Sequence, residues 1–423
     1  MRMKLNRSSQ LVLASAASLL AAGLLTACGT LTVDFVYVSS ALAAGPNNYG
    51  EIDVFEINSE SGRMRTIPTS PFPSGGRFPV SEATSPDNTN LYVANQDDNS
   101  IVQFIIGSDG KLYPQHTTDT SGIFPISLAV GASNLFVVDR FQPLPTCSPA
   151  DPCSGDIVVY PINSDDSLGT AVTDASIGAT YWPLSLPAKP NDLVTPTSVT
   201  TASAGAYLYV TAVDSTSGGG YLFAYFVVPS GTYTVPSNAT CPPLPVNQTA
   251  QSPGTLCTLA GSPYAAGTSP SNVAASPSGA NLYVTDAGAA SVLAYATTNG
   301  VPAPVSGSPF AAGNGPSAVV VDKSGSFVYV TNGTDSNIEA YSSSNGSLTE
   351  LGTYPVGLQP VAMGIDPGLG QYLYAVGFLG NTISGFQINA TNGSLLISQD
   401  SPAGTNSIPT AVAAIPHGTA FKK

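Results

Sequence analysis

Residues 270–300, PSNVAASPSGANLYVTDAGAASVLAYATTNG, carry a proline, a Leu-Tyr-Val core and a Val-x-x-Tyr ending in fixed order, at Pro270, Tyr283 and Tyr295. Each mark recurs along the 423 residues. The core returns at Tyr37, Tyr92, Phe136, Tyr209, Tyr329 and Tyr374, among Val- and Leu-sized neighbours that suit a buried strand. An [Ile/Val/Leu]-x-x-[Phe/Tyr] ending follows at Phe55, Phe104, Tyr160, Tyr225, Tyr341 and Phe386. Pro79, Pro125, Pro196, Pro316 and Pro360 precede the next aromatic by 11 to 14 residues, room for one strand, a turn and the start of a second.

Seven equivalent units imply a closed ring. Tyr37 has no proline before it, and Pro409 has no aromatic after it. The two half-units complete each other, so the strand from Pro409 is expected to pair with the one around Phe35 to Val38. The expectation is an all-β, seven-bladed propeller of four-stranded antiparallel blades over residues 33–417, its first blade closed by N- and C-terminal strands, followed by a tail, 418–423. Such closure leaves no free sheet edge. A β-sandwich or solenoid needs no complementarity between the chain ends, and a membrane barrel needs longer strands with a lipid-facing aromatic girdle.

The first 27 residues read as a leader: Arg2, Lys4 and Arg7 precede the apolar run Leu11 to Leu25. Leu25-Thr-Ala-Cys28 then looks like a bacterial lipoprotein signal, with Cys28 as the lipidated N-terminus and residues 28–32 as a tether. The alternative is an ordinary secretory leader with a stray cysteine. Either way the chain is expected to be exported, and with Cys28 lipidated it is membrane-anchored, periplasmic or at the cell surface. Loss of the leader moves the formal charge from −14 to about −17. That excludes nucleic acid, whose phosphates need clustered bases, and leaves the lipid as the membrane attachment. Four cysteines remain, and local closure pairs Cys147 with Cys153 and Cys241 with Cys257, as suits an oxidising compartment. Neither histidine nor Cys-x-x-Cys accompanies them, so no metal and no cofactor is expected. A monomer is the expected state.

In such a blade the entry to the first strand and the loop after the second share one face. By that parity the long segments 39–49, 140–155, 170–191 and 233–268 all fall on one decorated face, away from the anchor. Binding residues concentrate on loops held by a rigid scaffold. Arg77 and Arg140 are its candidate cations. Glu82 stands three after its proline, where the other units place Leu128, Val199, Val273, Val319, Met363 and Val412. A carboxylate there must be paired or carry a raised pKa, which leaves two readings: an ion pair with Arg77, or a general acid or base near the channel. Asp139, beside Arg140, is a candidate ligand-binding residue or a turn former. Tyr181 and Trp182 would stack on a sugar or lactone ring, or pin their loop. His116 and His417 read as surface residues.

The units Asn281-Leu-Tyr-Val-Thr-Asp286, Phe327-Val-Tyr-Val-Thr-Asn332 and Leu91-Tyr-Val-Ala-Asn95 resemble the seven-bladed lactonase family related to 6-phosphogluconolactonase, and the Tyr-Val-Thr-Asn repeat proteins of microbial surfaces. The likeness spans residues 33–417 and rests on strand and turn positions. It implies lactone opening by basic and imidazole side chains, yet the stretch matching the family's histidine reads Phe124-Pro-Ile-Ser127. A phosphorylated sugar needs several donors, which two arginines do not supply. Two functions follow. One is hydrolysis of an unphosphorylated sugar lactone or similar cyclic ester, with Glu82 as base and Arg77 or Arg140 stabilising the oxyanion. The other is capture of a ligand, envelope protein or glycan without catalysis.

Overall fold

A computed structural model describes residues 32–41, 49–244 and 248–416. The proposed leader, Cys28, His417 and the tail lie outside the described residues.

Seven antiparallel sheets are arranged as the repeat requires. Their inner strands are Ile408–Pro416 for blade 1, then Pro79–Thr84, Ile123–Val130, Val194–Ala202, Pro270–Ala275, Pro316–Val321 and Pro360–Ile365 for blades 2 to 7. In blade 1 the C-terminal strand pairs with Thr32–Ala41, Phe35 facing Ile415 and Val38 facing Val412, so both chain ends build one sheet. The inner prolines open or nearly open their strands, where the missing N–H costs no ladder bond.

The central column, Tyr37, Tyr92, Phe136, Tyr209, Tyr283, Tyr329 and Tyr374, is wholly buried. A buried phenol needs a partner, and it finds one in the following blade. Tyr37 donates to Gly110 O (3.1 Å), Tyr92 to Asp166 O (2.6 Å), Tyr209 to Gly300 O (2.8 Å) and Tyr329 to Gly393 O (3.0 Å). Tyr374 closes the ring by donating to Asp34 Oδ2 at 3.3 Å. Blade 3 has Phe136 and lacks this stitch. Around the channel, Ser271, Ser317 and Thr410 each donate to the proline carbonyl of the next inner strand, at 2.6 Å in all three cases.

Parity holds for the insert at 140–155, which joins the second and third strands of blade 3. It fails for much of 233–268. The outer strand of blade 4 is Leu256–Leu259, beyond the insert, so residues 228–255 join the third strand to the fourth and leave from the opposite face. There Ala239–Thr240 adds a fifth, outermost strand. The Cys241–Cys257 disulfide therefore fastens the rim of blade 4, whereas Cys147–Cys153 lies in the decorated loop. The sequence-based placement assumed that each fourth strand follows at once after the third.

Trp182 follows the second of its two readings. Trp182–Pro183 is the outer strand of blade 3, paired with Asp156 and Ile157, and the indole is buried among Val194, Leu184 and Ile157. It pins the insert and offers no face to a sugar. Tyr181 stays half-buried on the other side of the same blade.

Candidate functional site

The second strand of blade 3, Asn134–Phe141, delivers Asp139, Arg140 and Phe141 to the decorated face. Strand alternation buries Asp139 and Phe141 and exposes Arg140. The loop that follows returns to the sheet through Gly155, where a Cβ would lie 2.4 Å from Pro196 Cδ and 2.5 Å from the Asp139 carbonyl oxygen. Only glycine fits so close an approach. Ser154 Oγ accepts from the Val194 amide at 3.0 Å and ties the loop to blade 4.

Between this loop and the entry to blade 4 lies a pocket of about 530 Å³. One wall is aromatic: Phe124 and Phe141 meet edge to face, centroids 6.0 Å apart, and the Arg140 guanidinium lies over the Phe141 ring at 5.9 Å. Phe124 takes φ 60°, a strained setting for a bulky side chain, held by its amide donating to Asn99 Oδ1 at 2.7 Å. Pro149, Pro152 and Cys153 form the loop side. Gln96, Thr195 and Ser215 supply the neutral polar groups, with the two hydroxyls 2.8 Å apart. No aspartate or glutamate lines it.

Arg140 differs from the other arginines among the described residues. Arg63 pairs with Asp400, Arg65 with Glu56, and Arg77 with Asp98 at 2.6 Å. Arg140 has no carboxylate partner and rests on Phe141 alone.

Arg77, Glu82 and Arg140 are not brought together. Arg77 is half-exposed and held by Asp98 and the Asp97 carbonyl, both on the turn after the second strand of blade 2. Glu82 lies in the seam between blades 1 and 2, opposite Val93, and its Oε2 accepts from Ser39 Oγ at 2.7 Å. The residue keeps some exposure, but Oε1 is shut off from solvent and has no hydrogen-bond partner. Burial pushes this carboxyl up to about 8, against smaller opposing effects from the Ser39 hydroxyl and the Ala413 and Ser39 amides. At neutral pH Glu82 therefore carries its proton. Its equivalents Leu128, Val199, Val273, Val319 and Met363 are all buried, so this ring of positions faces the seams between blades.

Asp139 is fully buried beneath the pocket and faces Asp156 across the ladder. Sequence reasoning named the first and missed the second, although Asp156 directly ends the loop. It also missed Gln96 and Phe124 as pocket walls. His116 is exposed on an outer strand, as expected. Among the described residues no three His, Cys, Asp or Glu side chains gather as metal ligands, and no helix is long and apolar enough to cross a membrane.

The sequence matches the family model described as Lactonase, 7-bladed beta-propeller, over residues 48–142 and 297–410. Its fold is similar to a putative 6-phosphogluconolactonase from Bacteroides fragilis, with a TM-score of 0.69 at 16% identity, covering 91% of this chain and 98% of that one. It is also similar to the periplasmic gluconolactonase PpgL of Pseudomonas aeruginosa, with a TM-score of 0.65 at 17% identity, covering 90% and 99%. No curated protein matches the sequence. At such identities the structural likeness speaks for the fold alone.

Proposed function

We propose that this chain, whose sequence matches the lactonase seven-bladed β-propeller model over residues 48–142 and 297–410, is an exported envelope protein that opens an unphosphorylated, neutral or weakly acidic lactone in the pocket beside Arg140. The observation that carries this reading is Arg140 itself, an arginine without a carboxylate partner in a pocket that holds no carboxylate, on a chain of net charge −14. A lone guanidinium over an aromatic face attracts a carbonyl or carboxylate oxygen. Phe124 and Phe141 would pack against the ring, and Gln96, Thr195 and Ser215 would bind its hydroxyls.

In the reaction a water adds to the lactone carbonyl carbon, and Arg140 stabilises the oxyanion that forms. The ring C–O bond then breaks, the ring oxygen takes a proton, and the product is a hydroxy acid. Donors aimed at such an oxyanion contribute about 3 kcal/mol. Glu82 and Arg77 stand outside the pocket, so this reading gives them to the scaffold. A single cation suits a lactone better than a phosphorylated sugar.

One observation favours capture without turnover: no imidazole or carboxylate lines the pocket to take the proton from water. Proton release from a panel of aldonolactones, corrected for spontaneous opening, separates the two. Turnover that falls about a hundredfold in Arg140→Ala supports hydrolysis. Binding of the same lactones without acceleration supports capture, and turnover unchanged in Arg140→Ala refutes the site.

The two disulfides suit an exported protein. Attachment through a lipid on Cys28 belongs to the same proposal, and the mass of the mature N-terminus tests it. An unmodified thiol there would remove the anchor.

A further inference from the structure

The loop that carries much of the pocket wall, residues 140–155, leaves its sheet after Asp139 and re-enters at Asp156, and these two residues face each other as the last rung of the ladder. The same rung elsewhere sets Asn95 against Ser100, Asp286 against Ser291 and Asn332 against Asn337. Among the seven blades only this rung opposes two carboxyls. Both are fully buried, and none of their four oxygens has a hydrogen-bond partner. Asp286, at the position of Asp139, shows what a satisfied carboxylate looks like there. It accepts from the amides of Thr268, Ser269 and Gly288.

Two ionised carboxylates cannot both stay buried at adjacent cross-strand positions, because each lacks solvation and repels the other. One proton held between them removes the repulsion and supplies the missing donor. We propose that Asp139 and Asp156 form a proton-sharing latch at the neck of the 140–155 loop, positioning the pocket wall while protonated and loosening it when the proton is lost.

The surroundings supply no competing counter-charge. The inner strand meets Asp139 with Pro125, and the outer strand meets Asp156 with Pro183. Thr120 and the Gly122 amide approach Asp139 and moderate its rise, though neither closes a hydrogen bond of normal geometry. Tyr160 and Tyr181 are the titratable side chains that sense the pair. Asp98, on the preceding blade, is committed to Arg77, and Arg140 is turned onto Phe141. Burial pushes Asp139 up to about 7, and burial together with the charge of Asp139 pushes Asp156 well above the usual carboxylate range. With both raised, the folded neck holds its proton in acid and neutral solution and gives it to solvent as the pH climbs past neutrality. The effect on lactone binding rests on the function proposed above, whereas the latch itself does not.

Hydrogen exchange of the 140–156 backbone, corrected for intrinsic rates, tests the latch without any ligand. Protection in the wild-type chain should fall about tenfold per pH unit from the ordinary carboxylate range upward, where the closed neck holds a proton that the open one releases, and level off once the closed neck has lost that proton too. Fluorescence of Trp182, the single tryptophan, buried beside Ile157, should shift where the closed neck itself gives up its proton, past neutrality. Asp139→Asn keeps a donor in place of the shared proton and should flatten both profiles. Should that variant fail to fold, Asp156→Asn makes the same comparison, and the wild-type profile remains decisive. Protection independent of pH, or an unchanged profile in the foldable variant, overturns the latch. So does protection restored at alkaline pH by millimolar Ca²⁺, which would make the pair a cation site. A flat lactone assay beside a pH-dependent neck would sink the proposed function and leave the latch standing.

Discussion

Replacing Glu82 by glutamine should stabilise the ring in alkaline solution and leave it unchanged in acid. The carboxyl is raised from 4.5 to about 8 by burial in the seam between blades 1 and 2. The folded state thus holds the proton more tightly than the unfolded chain. The stability this group contributes is whole below about pH 4.5, declines by about 1.4 kcal/mol per pH unit, and is lost by about pH 8. The total is on the order of 5 kcal/mol. Glutamine copies the shape of the protonated acid, can still accept from Ser39, and carries no charge to lose. For a ring of roughly 380 residues, where unfolding entropy makes 1 kcal/mol worth about 1 °C, the variant should gain about 5 °C in Tm near pH 8.5 and nothing near pH 4.5. Asp34, in the seam on the other side of blade 1, is likewise raised to about 8 by burial and by Asp366, but it is present in both proteins and cancels. Scanning calorimetry across that range, at fixed ionic strength, gives the two Tm curves. Parallel curves would refute the argument, since they would mean that Glu82 titrates as it does in the unfolded chain.

Two other changes test how the blades are joined. Tyr209→Phe removes the hydroxyl that reaches Gly300 O and leaves that carbonyl unpartnered, so denaturant unfolding should show a loss of about 1–2 kcal/mol. The equivalent residue of blade 3 is already Phe136, and Phe136→Tyr should bring no matching gain. Cys241 and Cys257 enclose a separation of 16 residues, so Cys241→Ser with Cys257→Ser should cost about 3 kcal/mol by the same measurement. The Arg140 pocket, on the opposite face, should bind as before.

The ring and its closure were legible because strand periodicity and the proline and tyrosine columns are written along the chain. Pro409 and Tyr37 declared their partnership by what each lacked. The disulfides were legible because short separations leave little choice. The pocket was not. Arg77 and Glu82 are near in sequence, but one sits at the rim and the other in a seam, and the partner of Arg77 comes from a turn 21 residues on. The rim of blade 4 misled for a different reason: an insert ahead of the outer strand reverses the face from which it springs, and no local residue marks that. Asp156 offered a signal, an acid at the end of a glycine-closed loop. Its meaning depended on which residue the register set opposite.

The weave of blade 1 has a mechanical side. Asp34 lies beside Pro416, so the two terminal strands of the described ring enter and leave at the same end of one antiparallel ladder. Tension applied between those ends would load the rungs singly and peel them in order from Asp34 and Pro416 towards Ala41 and Ile408. The other six blades would feel no load until that seam had parted. Held from one end only, the ring carries no such tension, and its hydrophobic seams and tyrosine stitches are left to resist heat and solvent.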